Sequence, residues 1–377
     1  MAEKFSLKDE LFNPSKVKLI ANQIKNVYPT FGQEAFENEV IVAFEKLELK
    51  ERIYHIRACL GKFLPQEYQE ATTILLTSLP QELDPTKNDN DFGDFIYAPY
   101  SDFVAYFGCT KEHVNFSLNA LREITKRFSV EFAIRDFINH FPSESFAMLL
   151  ECSQSSNYHE RRLASEGTRP KLQWAKKLTV PYRDPLALLE NLYHDPTRYV
   201  TRSVANHLND ISKLDAPLVI KTLKQWKSAN RQNAKEMKFI LFHALRSLVK
   251  EGNIDALELL GYSSNPAIVV HDFKLLKNKI KIGESLEFAF EIRANHNESL
   301  MIDYTVYFQT KSAKLSPKVY KLKKLTMQKN ETLKVEKSHP FKANMSTRKL
   351  YAGEHQLCVQ INGRVLFESS FTLLEPN

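Results

Sequence analysis

The chain has 377 residues, more than one ordinary hydrophobic core uses, so two domains or a repeat array are expected. With ten glycines and four cysteines it shows no GxGxxG, GxxxxGKS, GxSxG or HExxH pattern, and Cys59, Cys109, Cys152 and Cys358 have neither CxxC nor zinc spacing. Its net charge of +7 is unevenly held: residues 1–156 carry −7, 157–250 carry +10, 251–264 carry −3 and 265–377 carry +7, the footprint of a surface for a polyanion such as nucleic acid.

The opening MAEKFSLKDELF has no basic segment leading into an apolar run, and no stretch approaches 18 apolar residues, so a soluble cytoplasmic protein is expected. From about residue 14 to 262 the pattern is helical. PSKVKLIANQIKNVY, EAFENEVIVAFEKL, LKERIYHIRACLGKFL, EHVNFSLNALREITKRF and EMKFILFHALRSLVKEG repeat apolar residues at i, i+3, i+4 and i+7, with turn material such as SLPQELDPTKNDNDFGD between them.

YHERRLAS (158–165) and YVTRSVAN (199–206) align without a gap, pairing Tyr158 with Tyr199, Arg161 with Arg202, Leu163 with Val204 and Ala164 with Ala205. The offset of 41 residues lies in the HEAT/armadillo range and favours an α-solenoid over a bundle. Stacked repeats would then present Arg161 and Arg202 side by side on one concave wall. After residue 264 the period shortens. GESLEFAFEIRA, MIDYTVYFQT, ETLKVEKSHPF and HQLCVQINGRVLFESSFTLL alternate, and the last holds an Asn362-Gly363 hairpin signal. The fold expected is mostly α: a HEAT-like solenoid over 1–264, YSSNPA (262–267) as a linker, and an immunoglobulin-like β-sandwich over 265–377.

The stretch NYHERRLASEGTRPKLQWAKK (157–177) mixes six cations, two glutamates and one of the chain's two tryptophans. YHERRLASE reads as a helix capped by Gly167, with Pro170 preventing continuation. Glu166 then lies in the last turn, where it opposes the helix dipole at about 0.3 to 1 kcal/mol. Either it serves a function or it pairs with Arg162 or Arg169. Arg161, Arg162, Arg169 and Lys171 suit phosphates. Trp174 is either a core tryptophan or a ligand contact. Read on a helix, Glu131 shares a face with Phe128, Ile134 and Ile138, with Arg135 as its structural partner. Asp210 is a further acidic candidate or a helix-surface carboxylate, and Glu160 reads as a solvated neighbour.

RRLASEGTRPKLQW, followed by RSVANHLNDISK and FHALRSLVKEGNIDALELLGY, resembles the HEAT-like repeat DNA glycosylases of bacterial alkylation repair. The immunoglobulin-like tail points to the AlkC branch of that AlkC/AlkD family. One departure is Gln173, where the family usually carries proline before the tryptophan. The resemblance implies hydrolysis of the N-glycosidic bond of cationic alkylated bases in double-stranded DNA: 3-methyladenine first, with 3-methylcytosine and 7-methylguanine as further substrates. It implies base excision without deep base flipping. Glu131, Glu166, Trp174 and Asp210 would be catalytic, while Arg161, Arg162, Arg169, Lys171, Arg202 and Asn206 would bind DNA. A monomer without metal, cofactor or membrane is expected. Lys274, Lys277, Lys279, Lys281 and the KLKK run at 321–324 would add a second DNA contact. A cationic base is already a good leaving group, so carboxylates and an indole face are what such a site needs. The alternative is a non-catalytic HEAT-repeat scaffold holding DNA or protein.

Overall fold

The computed structural model describes residues 6–84, 86–87, 91–343, 345 and 348–376. Its helices begin with α1 (Leu7–Leu11), α2 (Pro14–Val27), α3 (Gln33–Val42), α4 (Leu49–Phe63), α5 (Tyr68–Thr77), α6 (Ala98–Gly108), α7 (Val114–Thr125) and α8 (Ile134–His140). They continue with α9 (Pro142–Ser153), α10 (Tyr158–Glu166), α11 (Leu186–Leu192), α12 (Arg198–Ser212), α13 (Ala216–Ala229), α14 (Ala234–Ala244), α15 (Arg246–Lys250) and α16 (Ile254–Leu259). No helix is long and apolar enough to cross a membrane among the described residues. The chain divides into one compact unit of residues 1–214 with 226–244 and another of 215–225 with 245–377.

In the first unit neighbouring helices pair, α2 with α3, α6 with α7 and α9 with α10, while helices two apart stack, α4 on α6, α10 on α12 and α12 on α14. This two-layer stacking is the HEAT-like solenoid that the 41-residue offset predicts. The aligned positions share one environment. Leu163, Ala164, Val204 and Ala205 are completely buried, and the rings of Tyr158 and Tyr199 meet edge to face at 6.1 Å. Asn157 caps α10 by accepting from the His159 amide at 2.9 Å.

Gly167 ends α10 as expected, though for another reason. Its φ is −64°, so no left-handed cap forms. A Cβ here would lie 2.7 Å from Cγ2 of Ile134 and 3.0 Å from the Leu163 carbonyl, so the residue is glycine because α10 and α8 approach closely.

The second unit holds α15, α16 and eight strands: β1 (Ile268–Leu275), β2 (Lys279–Lys281), β3 (Ser285–Ala294), β4 (Glu298–Gln309), β5 (Leu315–Met327), β6 (Thr332–Pro340), β7 (Gly353–Ile361) and β8 (Arg364–Leu374). They form sheets ordered β1-β3-β6 and β2-β8-β7-β4-β5, antiparallel except for the short β2 beside β8. Inward side chains such as Phe288, Phe290, Ile302, Tyr304, Phe308, Leu357 and Phe371 form the sandwich core.

The predicted hairpin turn joins β7 to β8, with φ of 50° at Asn362 and 79° at Gly363. Asn362 does more than turn the chain. Its buried side chain accepts from the Met301 amide at 2.8 Å and donates to the carbonyls of Ser263 at 2.9 Å and Ser299 at 3.1 Å.

Leu163 lies at the centre of the α10–α12 seam. Leu163→Ala is expected to cost about 2 to 5 kcal/mol, measured by chemical denaturation. A loss below about 1 kcal/mol would mean that the seam closes over the gap.

Candidate active site

Five charged side chains alternate in sign through the α10–α12 region: Glu131, Arg162, Glu166, Arg169 and Asp210. Glu131 stands in the turn before α8 rather than on a helix. Its Oε2 accepts from the Ser129 hydroxyl and from Nη1 of Arg162 at 3.3 Å, and the same Nη1 donates to Ser129 Oγ at 2.6 Å. Arg162 approaches Glu166 Oε1 at 3.9 Å. Arg169 Nη1 then donates to that oxygen at 2.6 Å, while its Nε donates to Asp210 Oδ2 at 2.9 Å. Lys213 ends the row, 3.8 Å from the other Asp210 oxygen.

The expected partner of Glu131, Arg135, is employed elsewhere. It is buried and donates to the carbonyls of Gly167 at 3.1 Å, Arg169 at 2.9 Å and Lys176 at 2.5 Å. Burial, with Arg169 nearby, pulls its guanidinium down to about 10. Ser203 contributes a hydroxyl that donates to Glu166 Oε2 at 2.6 Å and lies 2.9 Å from Ser165 Oγ. At the 41-residue offset Ser203 corresponds to Arg162, and the small side chain leaves room for Glu166 between α10 and α12.

Burial would raise the Glu166 carboxyl, but Arg162, Arg169 and the Ser203 hydrogen bond outweigh it and hold it below the usual carboxylate range. Asp210 goes the other way: burial raises it despite Arg169 and Lys213. The environment therefore separates two acids that share one arginine. His207 is buried beside them with Nδ1 3.0 Å from the Ser165 carbonyl. Burial drives it down to about 3, so it is neutral, donating from Nδ1.

Trp174 is not a core residue. It is 65% exposed, and its φ of 65° lies in the left-handed region that a bulky residue occupies at a cost of about 1 to 3 kcal/mol. The flanking backbone holds it there. Arg135 fixes the loop on both sides, Asn139 donates to the Lys177 carbonyl at 3.0 Å and accepts from the Thr179 amide at 2.9 Å, and Lys50 of α4 donates to the Trp174 carbonyl at 2.5 Å. Its indole stands outside the ion-pair row.

The arginines expected to meet phosphates are turned inward. Arg161 is mostly buried, donating to Asp195 at 2.5 and 3.2 Å and to the carbonyls of Ser155 and Ser156, and so ties α10 to the turn before α12. Arg202, at the matching position of α12, is half-buried. Arg162 and Arg169 are taken up by the acids, and Arg162 also lies 4.4 Å from the centroid of the Tyr199 ring. Buried cations need such partners, so these three arginines are structural in this arrangement. Lys171 is exposed and remains suited to phosphate, while Asn206 of α12 bonds His243 at 2.8 Å. Glu160, expected at the surface, is buried and paired with Arg122 at 2.6 Å. Asp210 is likewise buried rather than on a helix surface. Lys50 could not be found from the sequence, because 124 residues separate it from the carbonyl it binds.

Residues 269–375 match the family model described as the uncharacterised protein YhaZ, C-terminal Ig-like domain. The chain is 35% identical over 360 residues to the uncharacterized protein YhaZ of Bacillus subtilis (strain 168), covering 94% of this chain and 96% of that one. Among solved structures it is similar to the Pseudomonas fluorescens alkylpurine DNA glycosylase AlkC bound to DNA containing an abasic site analog. That match has a TM-score of 0.81 and 29% identity, over 98% of this chain and 100% of the other.

Arg169→Ala would strand two buried carboxylates and is expected to cost about 3 to 5 kcal/mol in denaturant unfolding. Because folding depresses the Glu166 carboxyl, its linked stability is present above the unfolded pKa of about 4.3 and lost as pH falls through the lower folded value. The stability gap between wild type and Glu166→Gln should therefore shrink from pH 6 towards pH 3.5. A gap that stays constant would mean that Glu166 is not held as a carboxylate.

Proposed function

Because the chain belongs to the AlkC-like branch of the HEAT-like repeat DNA alkylation-repair glycosylases, we propose that it is a monofunctional DNA glycosylase releasing cationic alkylated bases. The observation that carries this reading is the pair of buried acids Glu166 and Asp210 inside the most basic segment of the chain, joined through Arg162 by Glu131 from the acidic segment before it. A protein that only bound DNA would leave Arg162 and Arg169 to phosphates, whereas here Glu131, Glu166 and Asp210 take them up.

An N-alkylated base with a positive charge leaves without a general acid. The barrier lies in the oxocarbenium-like sugar and in the approach of water. Glu131 is the most open of the three acids, its side chain 12% exposed against 7% for Glu166 and 4% for Asp210, and its protein bonds fall on Oε2. In this proposal Glu131 faces the sugar and orients the water. Glu166 supplies a fixed negative charge behind it, and Asp210 holds Arg169 and with it the row. The exposed face of Trp174 attracts the cationic base or its sugar, worth about 0.5 to 2 kcal/mol. We place 3-methyladenine first among the substrates, with 3-methylcytosine and 7-methylguanine after it. The protein would act as a cytoplasmic monomer on duplex DNA.

The decisive assay uses duplex DNA treated with a methylating agent and follows free methylated bases by chromatography. Wild type is expected to release 3-methyladenine. Glu131→Gln and Glu166→Gln should each lose about a hundredfold or more in rate while binding DNA at least as tightly. Salt-sensitive binding without release by wild type would leave the non-catalytic scaffold as the reading.

The β-sandwich adds exposed Lys274, Lys277, Lys279, Lys321, Lys323 and Lys324. Lys321→Gln/Lys323→Gln should flatten the slope of log affinity against log salt by about 0.9 for each phosphate that the variant no longer neutralises. An unchanged slope would remove these lysines from the interface.

A further inference from the structure

Lys50, Tyr54, Arg57 and Gly61 follow one another along α4 at steps of four, three and four residues, which places them on one side of the helix. Against this side packs the end of α6. A Cβ on Gly61 would lie 2.9 Å from Cζ of Phe107, so the glycine lets that ring rest on α4. The Arg57 guanidinium lies 4.0 Å from the centroid of Tyr106 and 5.3 Å from that of Tyr54, while its Nη1 donates to Asp102 at 2.8 Å. Tyr54, Tyr106 and Phe107 are all exposed, Tyr106 at 64%.

Single exposed aromatics are ordinary; three together, two of them over a fixed cation, are not. The strip also adjoins the Trp174 loop. Lys50, at its near end, donates to the Trp174 carbonyl, and burial raises the Asp102 carboxyl against the pull of Arg57 and, more weakly, of Lys176 in the same loop. The glycosylase reading gives Tyr54, Arg57, Tyr106 and Phe107 no task.

We infer that the α4–α6 strip is a further DNA contact, taking the strand beside the lesion, with Tyr54 and Tyr106 against base or sugar faces and Lys50 towards a phosphate. The inference rests on the DNA-repair reading and extends it. Continuity with the Trp174 loop favours this occupant: although residues 1–156 carry a net −7, Asp102 is spent on Arg57, and the exposed Lys50 beside that loop, with the tyrosine hydroxyls, gives a polyanion a local cation and donors. Aromatic rings interleaved with cations suit nucleic acid regardless of sequence, since every base has a stacking face.

The test uses the full chain with fluorescently labelled undamaged duplex and duplex carrying an abasic-site analogue, alongside the base-release assay. Tyr54→Ala/Tyr106→Ala should raise Kd about tenfold to a hundredfold, with thermal melting and the single-turnover rate at saturating DNA unchanged. Tyr54→Phe/Tyr106→Phe, which keeps the rings, should bind within about threefold of wild type. Duplexes with 5-iodouracil beside the lesion should photocross-link to peptides holding Tyr54 or Tyr106. Wild-type affinity in the alanine variant, or cross-links confined to other segments, would overturn the strip. If the strip matters for binding while wild type releases no base, the glycosylase reading fails and the strip stands. If wild type releases base and the alanine variant binds normally, the strip fails and the glycosylase reading stands.

Discussion

Three acids and three arginines buried together impose the strongest constraint in the helical unit. Glu131, Glu166 and Asp210 are offset by Arg162, Arg169 and Lys213, with Arg135 buried nearby on backbone carbonyls, and most of these groups are individually expensive to desolvate. Balancing charge alone is not enough. Arg169 reaches two carboxylates from one guanidinium, a geometry that the point charge of a lysine cannot reproduce. To close that fork, the end of α10 and the last turn of α12 must stand at set distances from the loop that carries Arg169. The packing of Leu163 and Val204 and the close approach allowed by Gly167 supply those distances. Repeat packing and site electrostatics are thus one problem with one solution.

Much of this is legible in the chain itself. The period of the apolar residues locates the helices, and the match between YHERRLAS and YVTRSVAN identifies two helices that stack. The pairing of Glu166 with Arg162 or Arg169 follows from spacing, and both arginines approach it. Spacing does not say whether such a pair faces solvent or the seam, because an arginine contributes the same charge to either. That is why Arg161, Arg162 and Arg169 read as phosphate ligands although they are bound within the protein. Glu131 reads as helical because RFSVEFAIRDFI has helical periodicity across a turn, and its partner comes from α10 instead of from i+4. Trp174 lies beyond prediction for another reason: its left-handed backbone depends on Arg135, Asn139 and Lys50, which are remote in the chain.

Alternation in the β part finds β3, β4, β6, β7 and β8 but passes over β1, the short β2 and β5. In β5 lysines interrupt the apolar residues, and its outer face carries charge because it is a sheet edge. The acidic character of the first 156 residues, which sets them apart from the basic segments, conceals a local exception where aromatic rings surround Arg57. Net charge describes a segment; the side of a helix decides what a partner meets.

The turn at Asn362-Gly363 bears on the chemical lifetime of the chain. An asparagine followed by glycine is the dipeptide most prone to cyclise to a succinimide and deamidate, because the glycine amide swings freely onto the side-chain carbonyl. Here the Asn362 amide group is held by Met301, Ser263 and Ser299 and shut away from water. The hairpin is therefore protected while folded and vulnerable when open, so ageing of the purified protein would record how often the sandwich unfolds at that edge. The product, an aspartate or isoaspartate, would introduce a buried charge where two carbonyls expect a donor. One such event would keep that edge from closing again.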